Sequence, residues 1–395
     1  MRRLRRGAGW ALAAVAVVVG VRGLVLSAGP GLDEDAWQSR TVASLRWLSD
    51  GLEEKADRMQ QIFPEGRVFT LALTGLAWAE VSRQGPALRD EGLRGARSAL
   101  ALAEARRSKE PFGPAGGLPH GMFYEAWTTR LRVAVAGLDG SAADTTALGA
   151  SCRRLDAALA SGPMFRESYS GMAWPADNVV GAAALAGCGD RLGGSFRATA
   201  EAWLRRARRH ADSGTGLLPH AANAPHARGS STALMVPFLA EIDPRYGADQ
   251  YLRFARTFPI RFVGVLPVMR EYPPGVAGSG DVDSGPLVFG ASAPASVVGI
   301  AAARAAGDAV TAEALRASTE AVGGAVEWRG RRRYGLGRLP VGDAFLAWAS
   351  TVPLVERRHT SPFAGWRVRW AVGSGALLAF GVALAVVLWR TRRER

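Results

Sequence analysis

The sequence is poor in the residues that metal and nucleotide chemistry require. It has two cysteines and five histidines, and no Cys/His spacing in it resembles a zinc site. It has no Gly-rich phosphate loop beside a strand pattern and no Gly-x-Ser-x-Gly elbow. We therefore expect no cofactor and no bound metal, and nucleotide-dependent and serine-hydrolase functions are excluded.

Lysine is also scarce, with only Lys55 and Lys109, although the formal net charge is +14. Arginines supply this charge, and they are concentrated at the two ends of the chain. Residues 1–29 and 366–395 together hold eleven arginines and one glutamate, a net +10, which leaves +4 for the remainder. So small a surplus does not make a surface that follows phosphates, and we predict no nucleic-acid partner.

Two apolar runs lie at the ends of the chain. Residues 370–389 form a stretch of 20 residues without a charge, which is the length that spans a bilayer core of roughly 30 Å. The other run, residues 10–28, is interrupted by Arg22. It is either a signal peptide or an uncleaved anchor, and we favour the anchor. The sequence thus divides into an N-terminal anchor or signal segment (1–29), a main domain (30–365) and a C-terminal transmembrane helix with a basic tail (366–395).

Arginine clusters flank both apolar runs, and the positive-inside rule places such clusters in the cytoplasm. We predict that both termini are cytoplasmic, that the main domain is periplasmic or extracellular, and that the cell membrane is one partner. In that oxidising location Cys152 and Cys188 could form a disulfide. The alternative is two buried, unpaired cysteines that pack as small apolar residues.

Apolar spacing and Gly/Pro punctuation predict twelve helices in the main domain. They alternate between amphipathic helices and helices that are apolar or small nearly all round, and the latter belong inside a fold. The apolar helices recur about every 55 residues, as in a repeat architecture. We predict an all-α fold, an (α/α)6 toroid of six helical hairpins; the alternative is an open α-solenoid. The predicted helices are residues 35–59, 67–83, 87–107, 121–137, 142–160, 176–186, 195–212, 230–241, 248–257, 285–306, 309–322 and 341–352.

Three segments carry a resemblance to a known superfamily: GGLPHGMFYEAW (116–127), YSGMAWPADNVVGAAAL (169–185) and GDVDSGPLVFGASAPAS (280–296). With the number of hairpins, they make the chain resemble the six-hairpin glycosidase-like superfamily, whose members include glycoside hydrolases and polysaccharide lyases. More remotely, the chain is similar to linalool dehydratase/isomerase-like domains. The first resemblance implies a carbohydrate substrate, and the second implies a small isoprenoid-like alcohol.

The loops that enter the six inner helices are rich in glycine, proline and polar residues. Inner helices of a toroid run parallel, so we expect these loops to meet at one mouth. Six helix N-termini would meet there too, and their free N–H groups favour anions or developing negative charge. We therefore place the functional site at this mouth. The loops are residues 63–67, 116–120, 169–175, 218–229, 272–283 and 334–340.

Carboxylates in these loops are candidates for acid/base catalysis. Asp177 with Asp281 or Asp283 could form the pair that glycoside cleavage needs. Trp174, Tyr169 and Trp127 would then stack on sugar rings, although such aromatics also pack in cores. The alternatives are structural: Asp283 or Ser284 could cap the next helix, and Asp177 could be a first-turn residue that favours the helix dipole.

Histidines offer a second kind of catalytic group. His120 and His220 each follow a Leu-Pro pair at the entrance to an inner helix, and either could act as a base. The alternative is that they bond loop carbonyls. Arg228 could bind a substrate carboxylate in a bidentate manner or bind a neighbouring loop. The further candidates near these residues are Tyr124, Glu125, His226 and Tyr272.

Three functions are compatible with this pattern. The first is an extracytoplasmic enzyme that acts on a carbohydrate or cell-envelope glycan by hydrolysis or elimination. The second is an isomerase or dehydratase on a small alcohol, which an apolar, narrow cavity would favour. The third is a non-catalytic toroid that serves as a binding or assembly module.

Overall fold

The computed structural model describes residues 2–28, 33–224, 226–282, 284–357 and 359–393. Within these residues the chain forms sixteen α-helices, three short 3-10 turns and five short strands. The helices are α1 Arg2–Ala28, α2 Glu34–Ser49, α3 Leu52–Gln60, α4 Gly66–Gln84, α5 Arg89–Glu104, α6 Arg106–Lys109, α7 Gly121–Asp139, α8 Ala142–Ala160, α9 Pro175–Leu192, α10 Phe196–Ala207, α11 Gly229–Ile242, α12 Pro244–Thr257, α13 Ala293–Ala306, α14 Ala309–Val322, α15 Pro340–Thr351 and α16 Trp366–Arg393. The strands are β1 Pro259–Phe262, β2 Leu266–Arg270, β3 Ala291–Ser292, β4 Val326–Trp328 and β5 Arg331–Arg333.

Six of the helices form a closed inner ring. Each of α4, α7, α9, α11, α13 and α15 packs on the next, and α15 packs back on α4. Glycines allow close approach within the ring: a side chain at Gly75 of α4 would lie 2.7 Å from Leu131 Cδ1 of α7. The predicted (α/α)6 toroid is therefore confirmed, and the open solenoid is excluded.

The outer layer consists of the helices that precede the inner helices in the chain: α2 and α3, α5, α8, α10, α12 and α14. Of these, α5, α10, α12 and α14 pack mainly on the inner helix before them. These helices are amphipathic, as α12 illustrates. Tyr251 and Phe254 of α12 are buried against the ring, whereas Arg253 and Asp249 bond each other at the surface. Asp243 caps this helix by accepting from the backbone N–H groups of its first turn, and Pro244 fits its first position.

Several predicted helices differ from the structure. The helix predicted at 87–107 is interrupted at Ala105, between α5 and α6, where the backbone is extended. The helix predicted at 176–186 continues to Leu192, and the one predicted at 195–212 ends at Ala207. The helix predicted at 35–59 is broken between α2 and α3 because Gly51 adopts a left-handed conformation (φ 68°). The helix predicted at 285–306 begins only at Ala293, where the Ser292 hydroxyl caps it by accepting from Ala295 N–H. Ser284 therefore does not cap α13, and Asp283 lies outside the described residues.

The five strands were not predicted. β1, β2 and β3 form an antiparallel sheet in that order, in which Phe262 pairs with Leu266 and Met269 with Ser292. β4 and β5 form a separate hairpin in which Trp328 pairs with Arg331. All five lie in chain segments that connect an outer helix to the following inner helix, so they belong to the mouth end of the toroid.

Cys152 of α8 and Cys188 of α9 form a disulfide that ties an outer helix to its inner partner. Both residues are completely buried. The alternative of two unpaired buried cysteines is thereby excluded.

The two terminal helices pack against each other in opposite directions, and each contains a stretch long and apolar enough to cross a membrane. These stretches are Trp10–Ala28 and Trp366–Arg390. A Cβ at Gly20 would lie 2.8 Å from the backbone nitrogen of Leu378, and one at Gly381 would lie 2.9 Å from Val17 Cγ2. Small residues at such contacts are the usual means by which helices associate in lipid.

Candidate functional site

The candidate site is a cavity of about 420 Å³ at the mouth, among the N-terminal ends of the inner helices. Its walls are mostly apolar: Phe69, Phe123, Leu234, Val298 and Phe345 all line it. The ring of Phe69 packs edge-on against Phe123 at 4.8 Å and tilts against Phe345 at 5.2 Å. Polar groups enter this apolar space from a few helix N-termini, which is the usual composition of a small-molecule site.

Asp177 is a buried carboxylate in the cavity wall, in the first turn of α9 after Pro175. Its Oδ2 accepts a hydrogen bond of 2.5 Å from Ser168 Oγ, and its Oδ1 accepts one of 3.3 Å from Trp127 Nε1–H. The carboxylate is thus held in a single orientation by donors on two segments, with the positive end of a helix dipole beside it. Trp127 holds this carboxylate from within the ring and does not line the cavity.

A second carboxylate, Glu65, also lines the cavity and was not among the sequence candidates. It is half-buried at the N-cap of α4, and its carboxylate makes no ion pair with any other residue that the structure describes. The signal that would have found it is its position: like Asp177, it lies at the entrance to an inner helix, here in the segment Pro64-Glu65-Gly66.

His220 lines the cavity and is fixed by three contacts. Its ring packs on Trp174 with centroids 4.8 Å apart, its Nδ1 lies 2.6 Å from Ser231 Oγ, and its Nε2 lies 3.1 Å from Arg228 Nη1. Because a guanidinium only donates, Nε2 is the acceptor, and we assign the ring proton to Nδ1, which donates to Ser231. Burial, reinforced by the nearby Arg228 charge, lowers the pKa of His220 to about 4. In this arrangement His220 is neutral and its lone pair is already in use.

Arg228 binds two carboxylates of its own chain. Its Nε donates to Glu271 Oε1 at 2.8 Å, and its Nη1 and Nη2 donate to the two oxygens of Asp281 at 2.6 and 3.1 Å. Burial by itself would raise the pKa of Asp281, but hydrogen bonds from Arg228 and Ser284 hold it well below its ordinary value. Asp281 is therefore ionised and occupied in a structural ion pair. Arg228 has no free edge for a substrate carboxylate.

Several sequence candidates lie away from the cavity and make structural contacts. His120 Nδ1 lies 2.9 Å from the Phe112 carbonyl, and Tyr124 donates its hydroxyl to the Ala103 carbonyl at 3.0 Å. Glu125 faces α8, where Arg154 donates to it at 3.0 Å. Burial raises the pKa of Tyr124 far above its ordinary value. These three side chains are not in the cavity wall.

The remaining candidates belong to the rim. Tyr169 accepts a hydrogen bond from Trp174 Nε1–H at 3.3 Å, so it positions Trp174, which does line the cavity. Tyr272 packs under the Arg228 guanidinium at 5.2 Å and donates to the Ser279 carbonyl. His226 is exposed at the surface. Of the sequence candidates within the described residues, the cavity wall thus combines Asp177, His220 and Trp174.

Comparisons with known proteins show the fold and leave the chemistry open. No protein-family model matches the sequence, and no curated protein matches it. Among solved structures the chain is similar to a glycoside hydrolase of family 105 from C. acetobutylicum ATCC 824, with a TM-score of 0.50 and 12% sequence identity. The likeness covers 78% of this chain and 98% of that one. At this identity it shows a glycosidase-like helical toroid and does not transfer an activity.

Proposed function

We propose that this protein is a membrane-anchored, extracytoplasmic enzyme that acts on a carbohydrate or cell-envelope glycan by hydrolysis or elimination in the mouth cavity. The observation that carries the proposal is the placement of Asp177: a buried, oriented carboxylate at a helix N-terminus in the cavity wall, beside Trp174. The toroid that this chain shares with a glycoside hydrolase is consistent with a carbohydrate substrate. The two terminal apolar helices would both cross the membrane, with the chain ends in the cytoplasm.

In the proposed reaction Asp177 is the group that transfers a proton. Hydrolysis requires a carboxyl that protonates the leaving oxygen, and elimination requires a base that removes a proton from the sugar ring. Glu65 is the second carboxyl that hydrolysis needs, because Asp281 is bound to Arg228. Trp174 supplies a flat apolar surface for a sugar ring, and Ser230 and Ser231 supply hydroxyls to its polar edge.

A second candidate function is supported by the apolar cavity wall. Aromatic and aliphatic side chains outnumber polar ones there, which suits an isomerase or dehydratase acting on a small isoprenoid-like alcohol. Asp177 and Glu65 would serve as acid and base in that reaction as well. The third candidate is a non-catalytic binding module. Such a module would not need an oriented carboxylate in the cavity, so the position of Asp177 does not support it.

The test compares the full-length protein with Asp177→Asn and with a matched control, Asp190→Asn. Asp190 lies on the same helix but at its far end, where it pairs with Arg197 at the surface. Each protein is incubated with envelope glycans and with isoprenoid alcohols, and products are identified by mass spectrometry. We expect glycan turnover that falls at least about 100-fold in Asp177→Asn and is unchanged in Asp190→Asn. Turnover of alcohols alone would select the second function, and no turnover by the parent protein would select the binding module.

A further inference from the structure

Large apolar side chains are exposed at the mouth end of the toroid. Phe289 is 90% exposed, Val263 is 79% exposed and Trp328 is 72% exposed. Each sits at or next to the tip of a tight turn in a segment that connects an outer helix to the next inner helix. Scattered exposed apolar residues are ordinary, but a set gathered at one end of a protein marks an interaction surface.

Three residues at these tips adopt a left-handed backbone conformation, which is unfavourable for residues other than glycine, asparagine and aspartate. Val263, Phe289 and Arg329 each have φ of 49°, and a glycine with positive φ follows each of them. Two successive residues with positive φ are the signature of turns in which Asn-Gly is preferred, because asparagine tolerates this conformation. A valine and a phenylalanine there destabilise the turn and gain no burial. Strain of this kind is typical of functional positions.

A terminal helix lies beside two of these tips, those at Val263 and Phe289. Phe289 packs against Phe262 of β1, with ring centroids 6.1 Å apart. The turn after β1 then meets α16, where Val265 Cγ2 lies 2.7 Å from the place a Cβ on Gly373 would occupy. Gly373 is the eighth residue of α16 and lies well inside its apolar stretch. The tips at Val263 and Phe289 are therefore continuous with the candidate membrane helix α16.

The direction of the terminal helices is given by their contacts with α14, an outer helix whose C-terminus faces the mouth. Arg367, near the start of α16, pairs with Glu313 in the first half of α14. Further along, Arg22 of α1 donates to the carbonyl of Glu320 in the last turn of α14 at 2.6 Å. Arg22 therefore lies closer to the mouth than Arg367 does. The apolar part of α1 before Arg22, and the part of α16 that packs on it, extend beyond the mouth end of the toroid.

We propose that the mouth of the toroid rests on the membrane surface, with the tips at Val263, Phe289 and Trp328 inserted among the lipid headgroups. The Arg329 guanidinium lies 5.8 Å from the Trp328 ring, and Arg333 is exposed on the other strand of the same hairpin; both suit anionic lipids. Tryptophan is common at membrane interfaces because its ring is amphipathic. The occupant of this surface is the bilayer that the two terminal helices cross.

The same geometry deepens the proposed function, on which this step rests, by naming a substrate class. Pro286 lines the cavity, and Phe289 lies three residues further along the same loop. Val282 and Leu339 line the cavity and are also exposed at its rim. An apolar path thus connects the bilayer surface with the cavity. The substrate class is a lipid-linked saccharide, whose sugar enters the cavity while its hydrocarbon chain stays in the membrane.

Insertion of the tips is tested by spin labels in the full-length protein, reconstituted in nanodiscs of phosphatidylcholine and phosphatidylglycerol. Labels are attached at Val263→Cys, Phe289→Cys and Trp328→Cys, with Val310→Cys as a control because Val310 is an exposed apolar residue at the opposite end of the toroid. The native cysteines are paired and buried and will not react. We expect the three tip labels to collide with oxygen more than with a water-soluble nickel chelate, relative to the control. Equal nickel accessibility at all four positions would overturn the insertion.

The substrate class is tested with the double variant Val263→Asn/Phe289→Asn, which removes the apolar tips while placing in both turns the residue they favour. Turnover is measured on a lipid-linked saccharide in nanodiscs and on the same saccharide released from its lipid. We expect at least a tenfold loss on the lipid-linked substrate and none on the released one. Equal turnover of both substrates by parent and variant would overturn the lipid-linked class. Loss of both activities in Asp177→Asn is the separate test of the proposed function, and the spin-label result does not depend on it.

Discussion

The disulfide between Cys152 and Cys188 makes a quantitative prediction about stability. The two cysteines are 36 residues apart, so the bond closes a loop of that size in the unfolded chain. The loop-closure entropy corresponds to about 4 kcal/mol at room temperature. For a domain of roughly 330 residues, the unfolding entropy converts this free energy into a decrease in Tm of about 6 °C. The substitution to make is Cys152→Ala/Cys188→Ala, because both sites are fully buried and serine would add an unpaired hydroxyl there.

The assay is thermal unfolding of the parent and the double variant in the same detergent, each with and without a reductant. We expect reduction to lower the Tm of the parent to that of the variant and to leave the variant unchanged. A parent whose Tm does not respond to reduction would refute the loop-closure reasoning. The oxidation state in cells also tests the proposed location: if both thiols are alkylated in unfolded protein from native membranes without prior reduction, the domain does not face an oxidising compartment.

Three further perturbations have definite expected outcomes. Arg228→Met should lower the free energy of unfolding, measured with denaturant, by about 3–5 kcal/mol, because it leaves the fully buried Glu271 carboxylate without its cation. Adding Glu271→Leu should recover most of this loss. Equal stability of the single variant and the parent would contradict this expectation. Burial raises the pKa of Asp343 to about 7, so its contribution to stability is present below its unfolded pKa and is lost as the pH rises through 7. Asp343→Asn should therefore have a higher Tm than the parent above about pH 8 and no advantage near pH 4, and a difference independent of pH would exclude this assignment. Gly20→Leu should separate α1 from α16, because the new Cβ alone would lie 2.8 Å from the Leu378 nitrogen. If α1 and α16 still crosslink as they do in the parent protein, the contact between them is not tight.

The helical part of the fold was predictable because its signal is local. Helices α7, α8 and α14 begin and end within two residues of their predicted bounds. Closure of the ring was also predictable, since helices as apolar as α9 must be covered on every side. The five strands were missed because each has five residues or fewer and lies beside glycine turns, where neither the helical nor the strand period has room to develop.

The site was predictable to the level of its loops and not to the level of its side chains. Asp177, Asp281 and Glu125 all lie near the predicted starts of inner helices. Asp177 lines the cavity, whereas Asp281 binds Arg228 and Glu125 faces an outer helix. In a helix, a shift of one residue turns a side chain by about 100°, so a boundary error of two residues decides which way a carboxylate points. Glu65 was missed for the same reason: its orientation follows from where α4 begins.

The sequence by itself determined the alternation of exposed and buried helices, the gathering of polar loops at one end and the two apolar termini. These properties follow from the order of residue types along the chain, which local periodicity can express. Only the tertiary structure decided that Cys152 bonds Cys188, that Arg228 joins Glu271 to Asp281, and that the terminal helices run past the mouth. Each of these depends on the separation of groups from different helices, and that separation is set by how the helices pack around the closed ring.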